Sequence, residues 1–192
     1  MTADSEIGRL SVQYPGGLSA RYRWGGTGRA DEVFGVSEGG GTLFDFGVEG
    51  PAVATATSCR AELRMEGPAG AWTARFAAPF FDEPSGVLWD THGLLLVKYG
   101  FVLYALNGRS GEVAWTYVSG TPTLAILAST RLDHVLLQTE LETIALASDG
   151  EVIWRAAHSD VITGAQLIAG RLDLTSYSGA HLYLDAKTGQ SA

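Results

Sequence analysis

The chain has 192 residues, 46% of them hydrophobic and 18% charged, and 13 basic against 21 acidic residues give a net charge of −8. This composition is typical of a soluble globular protein that is long enough to bury a core. The acid excess opposes non-specific binding to nucleic acid, which needs Lys and Arg against phosphates, and we find no basic stripe in the sequence. Glycine is abundant (25 residues) but proline is not (6 residues), which predicts many tight turns rather than disorder.

The cysteine count and the first residues bear on where the protein resides. Cys59 is the only cysteine, which excludes an intrachain disulfide and a Cys-x-x-Cys redox pair. The start, MTADSEIGRL, has acidic residues where a secretory signal is basic, and no stretch reaches the roughly 18 apolar residues of a membrane span. We therefore expect a cytoplasmic protein that binds neither nucleic acid nor a membrane.

Alternating apolar positions predict an antiparallel hairpin at the start of the chain. Residues 10–14 and 18–24 place their apolar side chains at every second position, and Pro-Gly-Gly separates the two runs. Such alternation around a Pro/Gly turn is typical of two paired strands. Further short strands are expected near 32–36 and 42–48, between glycine-rich loops.

A second hairpin is predicted from residue 59 onwards. Apolar residues at 59, 61, 63 and 65 alternate with Arg60, Glu62, Arg64 and Glu66. This pattern predicts a half-buried strand whose outer face is solvated. A Gly-Pro-Ala-Gly turn follows, and apolar residues alternate again from Trp72.

Two aromatic and two acidic residues connect this part to the rest of the chain: Phe80, Phe81, Asp82 and Glu83. Neighbouring carboxylates are typical of a solvated loop. Exposed aromatics beside acids would also suit an interface with a basic partner. We therefore keep these four residues as a candidate partner-binding site.

The second half contains an internal repeat. Gly111, Gly150 and Gly189 are spaced by 39 residues, and Trp115 and Trp154 keep the same interval. An apolar stretch precedes each glycine, so each unit holds about four short strands. A period of about 40 residues is that of one propeller blade.

The repeat predicts the domain organisation. Three units are expected at 82–120, 121–160 and 161–192, and the repeat favours strands over a helix at 123–146, where apolar residues would also share a helical face. Residues 1–81 are expected to hold one divergent blade and an extra hairpin. The predicted fold is all-β, a small or incomplete β-propeller of about four four-stranded antiparallel blades in one structural unit.

Residues 105–115, ALNGRSGEVAW, resemble the repeat of the pyrroloquinoline-quinone-type (quinoprotein-type) propellers, Ala-x-Asp/Asn-x-x-x-Gly-x-x-x-Trp. The resemblance covers about residues 82–192. It implies that the glycine turns the chain between the third and fourth strands of a blade and that the tryptophan docks flat against the neighbouring blade. The second unit is one residue shorter in this turn. The third unit reaches Ala192, just before its tryptophan position.

The third unit is therefore expected to lack its outermost strand. A bare strand edge is an aggregation liability, so we expect something to pair with it. Residues 9–14 are one candidate, and a second chain is the other. The chain is accordingly expected to be a monomer or a homodimer that pairs through the incomplete last blade.

The resemblance also suggests a quinone cofactor, but the residues argue against one. Quinoprotein dehydrogenases have six to eight blades, a vicinal cysteine pair and a calcium site built with Asn and Asp. Here Cys59 is alone, and Asn107, the only asparagine, is accounted for by the repeat turn. No cofactor is expected.

The histidines are the remaining candidates for a ligand pocket. His92 and His134 fall in equivalent loops, each closely preceded by an aspartate, and with His181 they would line a central pocket where blades converge. The sequence lacks His-x-x-x-His and Glu-x-x-His spacing, so no metal site is predicted. Turn hydrogen bonding is the competing interpretation.

No catalytic set is identified from the sequence. The leading hypothesis is a non-enzymatic β-propeller-like interaction module that binds another macromolecule, and the expected partner is a protein. One version is an acidic protein that neutralises or scaffolds a basic partner, as an immunity protein does. The alternative is a small-ligand or sugar binder, or an enzyme, that uses the central pocket.

Overall fold

The computed structural model describes residues 7–26, 42–44 and 59–191, with backbone alone at 42–44. The chain divides into two compact units. The first comprises Met1–Ser85 with Asn107–Glu112, and the second comprises Gly86–Leu106 with Val113–Ala192. In the part of the chain that the structure describes, no helix is long and apolar enough to cross a membrane.

The described residues of the first unit form a five-stranded sheet with the order β1-β2-β4-β5-β3. Its strands are β1 (Gly8–Tyr14), β2 (Leu18–Gly25), β3 (Thr42–Phe44), β4 (Cys59–Gly67) and β5 (Gly70–Ala78). Both predicted hairpins are present as β1–β2 and β4–β5, and β2 joins β4 so that they form one sheet. β3 runs parallel to β5. The strand expected near 32–36, and the part of 42–48 beyond residue 44, lie outside the described residues.

The two faces of this sheet differ in chemistry. Tyr22, Leu63 and Phe76 are almost completely buried on the apolar face, as the alternation predicts. The other face is not the fully solvated surface expected from the sequence. Glu62 on that face is buried, because Arg23 and Arg75 lie directly opposite it on the neighbouring strands and their side chains reach its carboxylate.

The repeat half forms three further antiparallel sheets. The first contains β6 (Ser85–Trp89), β7 (Leu94–Tyr99), β8 (Val102–Asn107) and β9 (Val113–Val118); the second contains β10 (Thr123–Leu127), β11 (Val135–Thr139), β12 (Glu142–Leu146) and β13 (Val152–Ala157); the third contains β14 (Ile162–Ile168), β15 (Arg171–Ser176) and β16 (His181–Asp185). Residues 123–146 are thus strands and not a helix. The all-β prediction is confirmed.

Hydrophobic side chains fill the space between successive sheets of the second unit. Leu96 and Leu103 pack with Leu137 in one cluster, whereas Leu136 faces the opposite way and packs with Leu174 in a second cluster. β11 is therefore covered on both faces, which explains its continuous apolar sequence. The outer strands β9 and β13 are covered on one face only, and their exposure alternates along the strand.

The third sheet has three strands in the described residues. Residues 9–14, predicted to complete it, lie in β1 and pair with β2. Closure of the third sheet by these residues is thus not observed in the described part of the chain and stays a prediction, as does closure by a second chain.

Candidate functional site

The three repeat glycines occupy turns that require a left-handed backbone. Gly111, Gly150 and Gly189 have φ of 74°, 88° and 70°. In two of these turns a side-chain oxygen, of Asn107 or Asp185, accepts hydrogen bonds from backbone N–H groups two and three residues later. Those bonds hold the pKa of Asp185 below its usual range. The second turn is one residue shorter, as the sequence predicts, and closes with a bond from Gly150 N–H to the carbonyl of Ala147.

A tryptophan lies flat against each of these glycines. Trp72 covers Gly111 within the first unit, while in the second unit Trp115 covers Gly150 and Trp154 covers Gly189; a Cβ on any of the three glycines would overlap the indole. The absence of a side chain is therefore needed for the approach as well as for the turn. Trp72 was missed as a member of this series, because no glycine stands four residues before it as before Trp115 and Trp154.

Indole hydrogen bonds fix two of the three contacts. Nε1 of Trp72 donates to the carbonyl of Gly108 at 3.1 Å, and Nε1 of Trp115 donates to the carbonyl of Ser148 at 2.7 Å. Nε1 of Trp154 is buried and has no acceptor among the described residues. The third junction thus departs from the other two.

His134 supplies a different bond at that third junction. Its buried ring packs edge-on against Trp154, and its Nε2 donates to the carbonyl of Ala186 at 2.8 Å. A carbonyl can only accept, so this contact fixes Nε2 as the protonated nitrogen. His134 is therefore a structural residue that ties the second sheet to the turn after β16.

β16 presents backbone groups on its outer side. Ser176 N–H bonds the carbonyl of Ala180 and Ala186 N–H bonds the carbonyl of Gly170, which sets the alternation of hydrogen-bonded pairs along β15–β16. By that alternation Leu182 and Leu184 bond to β15. The N–H and C=O groups of the residues that alternate with them, His181 and Tyr183, point away from β15. We call this row the β16 edge.

The last described residues begin to cover this edge at one end. Asp185 N–H bonds the carbonyl of Gln190, and Ser191 forms an isolated antiparallel bridge with Leu184. Leu184 and Ser191 lie 78 residues after Leu106 and Val113, which start the pairing of β8 with β9. Ser191 thus occupies the position at which the fourth strand of the first sheet begins. By the same offset, Tyr183 and His181 correspond to Ala105 and Leu103, which pair with Trp115 and Tyr117 in the first sheet.

A groove of about 380 Å³ lies beside the β16 edge. It is lined by residues 156–159, residues 181–184, Gly189 and Ser191. Ala156 and Ala157 contribute only methyl groups, which leaves room for side chains from an added strand. The rings of His181 and Tyr183 stack on one another on β16. Two residues of β15 contact these rings: Oδ1 of Asp173 lies 3.6 Å from Nδ1 of His181, and Cζ of Arg171 lies 4.5 Å from the ring centre of Tyr183.

His158 forms the polar end of the groove. Thr143 donates its hydroxyl hydrogen to Oε1 of Gln138 at 2.6 Å, so the 2.8 Å contact between Thr143 and His158 is a bond donated by Nε2 of the histidine. Burial lowers the pKa of His158, and the nearby Glu142 carboxylate opposes the shift. The surroundings therefore disfavour the protonated ring.

Asp160 is engaged apart from this histidine. Its carboxylate accepts the backbone N–H of Ser178 at 3.0 Å and that of Val161 at 2.8 Å. Hydrogen bonding by Ser178 is the main reason that the pKa of Asp160 is lowered to about 2. His158 and Asp160 thus have different partners, and the neighbouring His-Ser-Asp sequence is not assembled as a triad.

The other predicted site residues lie in separate surroundings. His92 is exposed and packs edge-on against Trp89, and within the described residues no contact joins it to His134 or His181. Only His181 of the three lines the groove. No group of three or more His, Cys, Asp or Glu residues that could hold a metal ion occurs in the described ranges.

The predicted partner-binding residues form a loop between β5 and β6. Phe80, Phe81 and Asp82 are half-buried, Glu83 is exposed, and the backbone N–H of Glu83 donates to Oδ1 of Asp82 at 2.8 Å. The role of these residues in binding stays a prediction.

Comparison with known proteins gives similarity at the level of fold. No family model matches the chain, and no curated protein matches it by sequence. BamB from Moraxella catarrhalis, a β-propeller, matches 100% of this chain with a TM-score of 0.53 and 14% identity. The computationally designed Ika4 protein matches 77% of the chain and 99% of its own length, with a TM-score of 0.50 and 8% identity. The chain spans 63% of the length of BamB. Together with the four sheets of the described residues, this likeness establishes a β-propeller-type fold.

Proposed function

We propose that the chain is a non-catalytic protein-interaction module with repeats of the pyrroloquinoline-quinone-like type. It binds an extended segment of another protein chain along the β16 edge. The observation that carries this proposal is the outward row of backbone groups at His181 and Tyr183, in a sheet whose two sister sheets each have a fourth strand there.

The physical basis is strand addition. An added strand satisfies the N–H and C=O groups of an exposed edge, and pockets for alternate side chains provide selectivity. The β16 edge offers the backbone groups, and the neighbouring groove of about 380 Å³ offers the space for side chains. The apolar side chains Leu182 and Tyr183 on this edge are 37% and 38% exposed, so their burial would add to the main-chain bonds.

The sister strands indicate which sequence would fit. β9 reads VAWTYV and β13 reads VIWRAA, each with a tryptophan at the third position. The strand that pairs with Tyr183 and His181 would therefore place a large aromatic opposite Tyr183. We expect the partner segment to be extended and to have a large aromatic residue at the position that faces Tyr183.

The experiment uses a fluorescent peptide with the sequence of residues 115–120, WTYVSG, which starts beyond the position that Ser191 already occupies, and measures binding by anisotropy. Tyr183→Pro removes the outward N–H of the edge, whereas Tyr183→Ala removes the same side chain and keeps that N–H. Proline is tolerated on an edge strand when its nitrogen faces outwards, so the sheet is expected to persist. We expect binding to the parent chain and to Y183A, and at least about tenfold weaker binding to Y183P.

Circular dichroism and thermal unfolding of the two variants provide the folding control. A peptide in which proline replaces the tryptophan provides the control for non-specific association. Equal affinity for Y183A and Y183P would contradict strand addition at this edge, and no binding of the strand peptide by the parent chain would count against the proposal as well.

A further inference from the structure

The first unit gathers arginines on one face of its sheet, a feature that the overall acidity of the chain conceals. The side chains that share this face with Glu62 and Glu66 include six arginines: Arg9, Arg21, Arg23, Arg60, Arg64 and Arg75. Of the described residues on this face, Arg9, Arg21 and Arg64 are exposed, with Glu66 as the acidic residue beside Arg21 and Arg64. We call it the arginine face. Its arginines come from separate strands, which is why the sequence shows no basic stripe.

Strand register brings like charges directly opposite one another. Arg21 on β2 pairs with Arg64 on β4, and Arg9 on β1 pairs with Arg23 on β2. Like charges at directly opposed positions destabilise a sheet unless an anion lies between them. Glu66 provides one such anion, since its Oε1 accepts from Arg21 and lies 3.2 Å from Nε of Arg64.

One carboxylate does not satisfy two guanidinium groups. Each guanidinium carries five N–H donors, and the side chains of Arg21 and Arg64 are 53% and 57% exposed. Arg9 is exposed on the neighbouring strand. These three residues therefore direct donors into solvent from adjacent strands, where a further anion would bind.

The inner part of the same face shows which anion the geometry accepts. Glu62 is buried, with its carboxylate oxygens 3.1 Å from Nε of Arg75 and 3.9 Å from an Nη of Arg23. Arginine and carboxylate groups match in shape, which makes such pairs stronger than pairs with a point charge. The arginine face thus already binds the carboxylates of Glu62 and Glu66 between arginines of β2, β4 and β5.

We propose that the arginine face binds an acidic protein segment in extended conformation, with carboxylates at alternate positions. Side chains on one face of a strand repeat every two residues, at about 6.8 Å, so Asp or Glu at every second residue would match the arginine rows. A nucleic acid is disfavoured, because the net charge of −8 repels a polyphosphate and Glu62 and Glu66 lie within the face. This site is independent of the β16 edge.

The test compares two labelled peptides of equal composition and charge, Thr-Glu-Thr-Glu-Thr-Glu-Thr and its isomer with three consecutive glutamates. Anisotropy is measured at low salt with the full chain, with R21Q/R64Q and with the control R109Q/R131Q, which removes two exposed arginines outside the face. Surface substitutions of this kind usually leave folding intact, and circular dichroism checks it. We expect R21Q/R64Q to bind the alternating peptide at least about tenfold more weakly, and the control to bind it within about twofold of the parent chain.

We also expect the alternating peptide to bind more tightly than its isomer, and its affinity to fall as salt is added. Equal affinities of the parent chain and R21Q/R64Q would overturn the proposal, as would absence of binding. Tighter binding of a single-stranded oligonucleotide that carries the same charge would overturn it in favour of a nucleic-acid surface.

Discussion

Replacing Gly150 with alanine tests the contact between successive sheets of the repeat. Gly150 has a φ of 88°, and a Cβ at this position would lie 2.8 Å from Cδ2 of Trp115 and 3.0 Å from Cε3. The indole would have to move to accommodate the methyl group. Its Nε1 would then lose the 2.7 Å hydrogen bond to the carbonyl of Ser148.

The expected loss of stability has three contributions. A left-handed conformation costs an L-residue about 1–2 kcal/mol. Crowding of a packed site costs about 1–3 kcal/mol, and the lost indole bond about 1 kcal/mol. G150A should therefore lower the free energy of unfolding by about 3–6 kcal/mol, a large share of the stability of a typical domain.

Gly170→Ala is the matched control for the backbone contribution. Gly170 has a φ of 86°, and a Cβ there would meet no atom within 4 Å, so G170A should cost only about 1–2 kcal/mol. Urea unfolding followed by circular dichroism gives both values. If the two variants lose the same stability, Trp115 does not depend on the bare glycine and the account of the repeat contact is wrong.

Three further predictions follow from single residues of the second unit. H134A should lower the free energy of unfolding by about 2–3 kcal/mol, because it removes a buried hydrogen bond, whereas H92A at the exposed ring should change it by less than about 1 kcal/mol; urea unfolding distinguishes the two. The pKa of Asp160 is lowered from 3.8 to about 2, so its stabilisation is present above pH 3.8 and is lost as the pH falls through 2; the stability difference between the parent chain and D160N should vanish over that range. Burial lowers the pKa of His158 below 6.5, so the parent chain should lose stability relative to H158Q as the pH falls below 6.5, and a difference that does not change with pH would contradict this assignment.

The repeat could be predicted from the sequence because its signal is local. Gly150 and Gly189 need a left-handed turn wherever they occur, and the tryptophan four residues after a repeat glycine keeps its position along the chain. Trp72 was missed because Pro68, and not a glycine, stands four residues before it. Its spacing to the following repeat glycine is 39 residues, against 35 for Trp115 and Trp154, so this interval does not identify it either.

The arginine face could not be predicted in the same way, because it depends on pairing between distant strands. Arg21 and Arg64 are 43 residues apart and become neighbours only through the register of β2 and β4. The alternation of apolar and charged residues correctly placed Glu62 on the polar face of β4. It gave no information on the burial of the Glu62 side chain, which depends on Arg23 and Arg75 on the neighbouring strands.

The histidines illustrate a different limit. Equivalent positions in a repeat predict equivalent loops, and His92 and His134 were expected to point into one pocket. The partner of His134, the carbonyl of Ala186, belongs to the turn of the next sheet. Nothing in the sequence near His134 specifies that carbonyl, so its structural role required the fold.

The most direct test of the proposed function is residue-resolved amide hydrogen exchange along β16, measured by NMR with and without the strand peptide. The account predicts slow exchange at Leu182 and Leu184 in the free chain, fast exchange at His181 and Tyr183, and slow exchange at all four once the peptide binds. Unchanged fast exchange at His181 and Tyr183 in the presence of saturating peptide would contradict binding at the β16 edge.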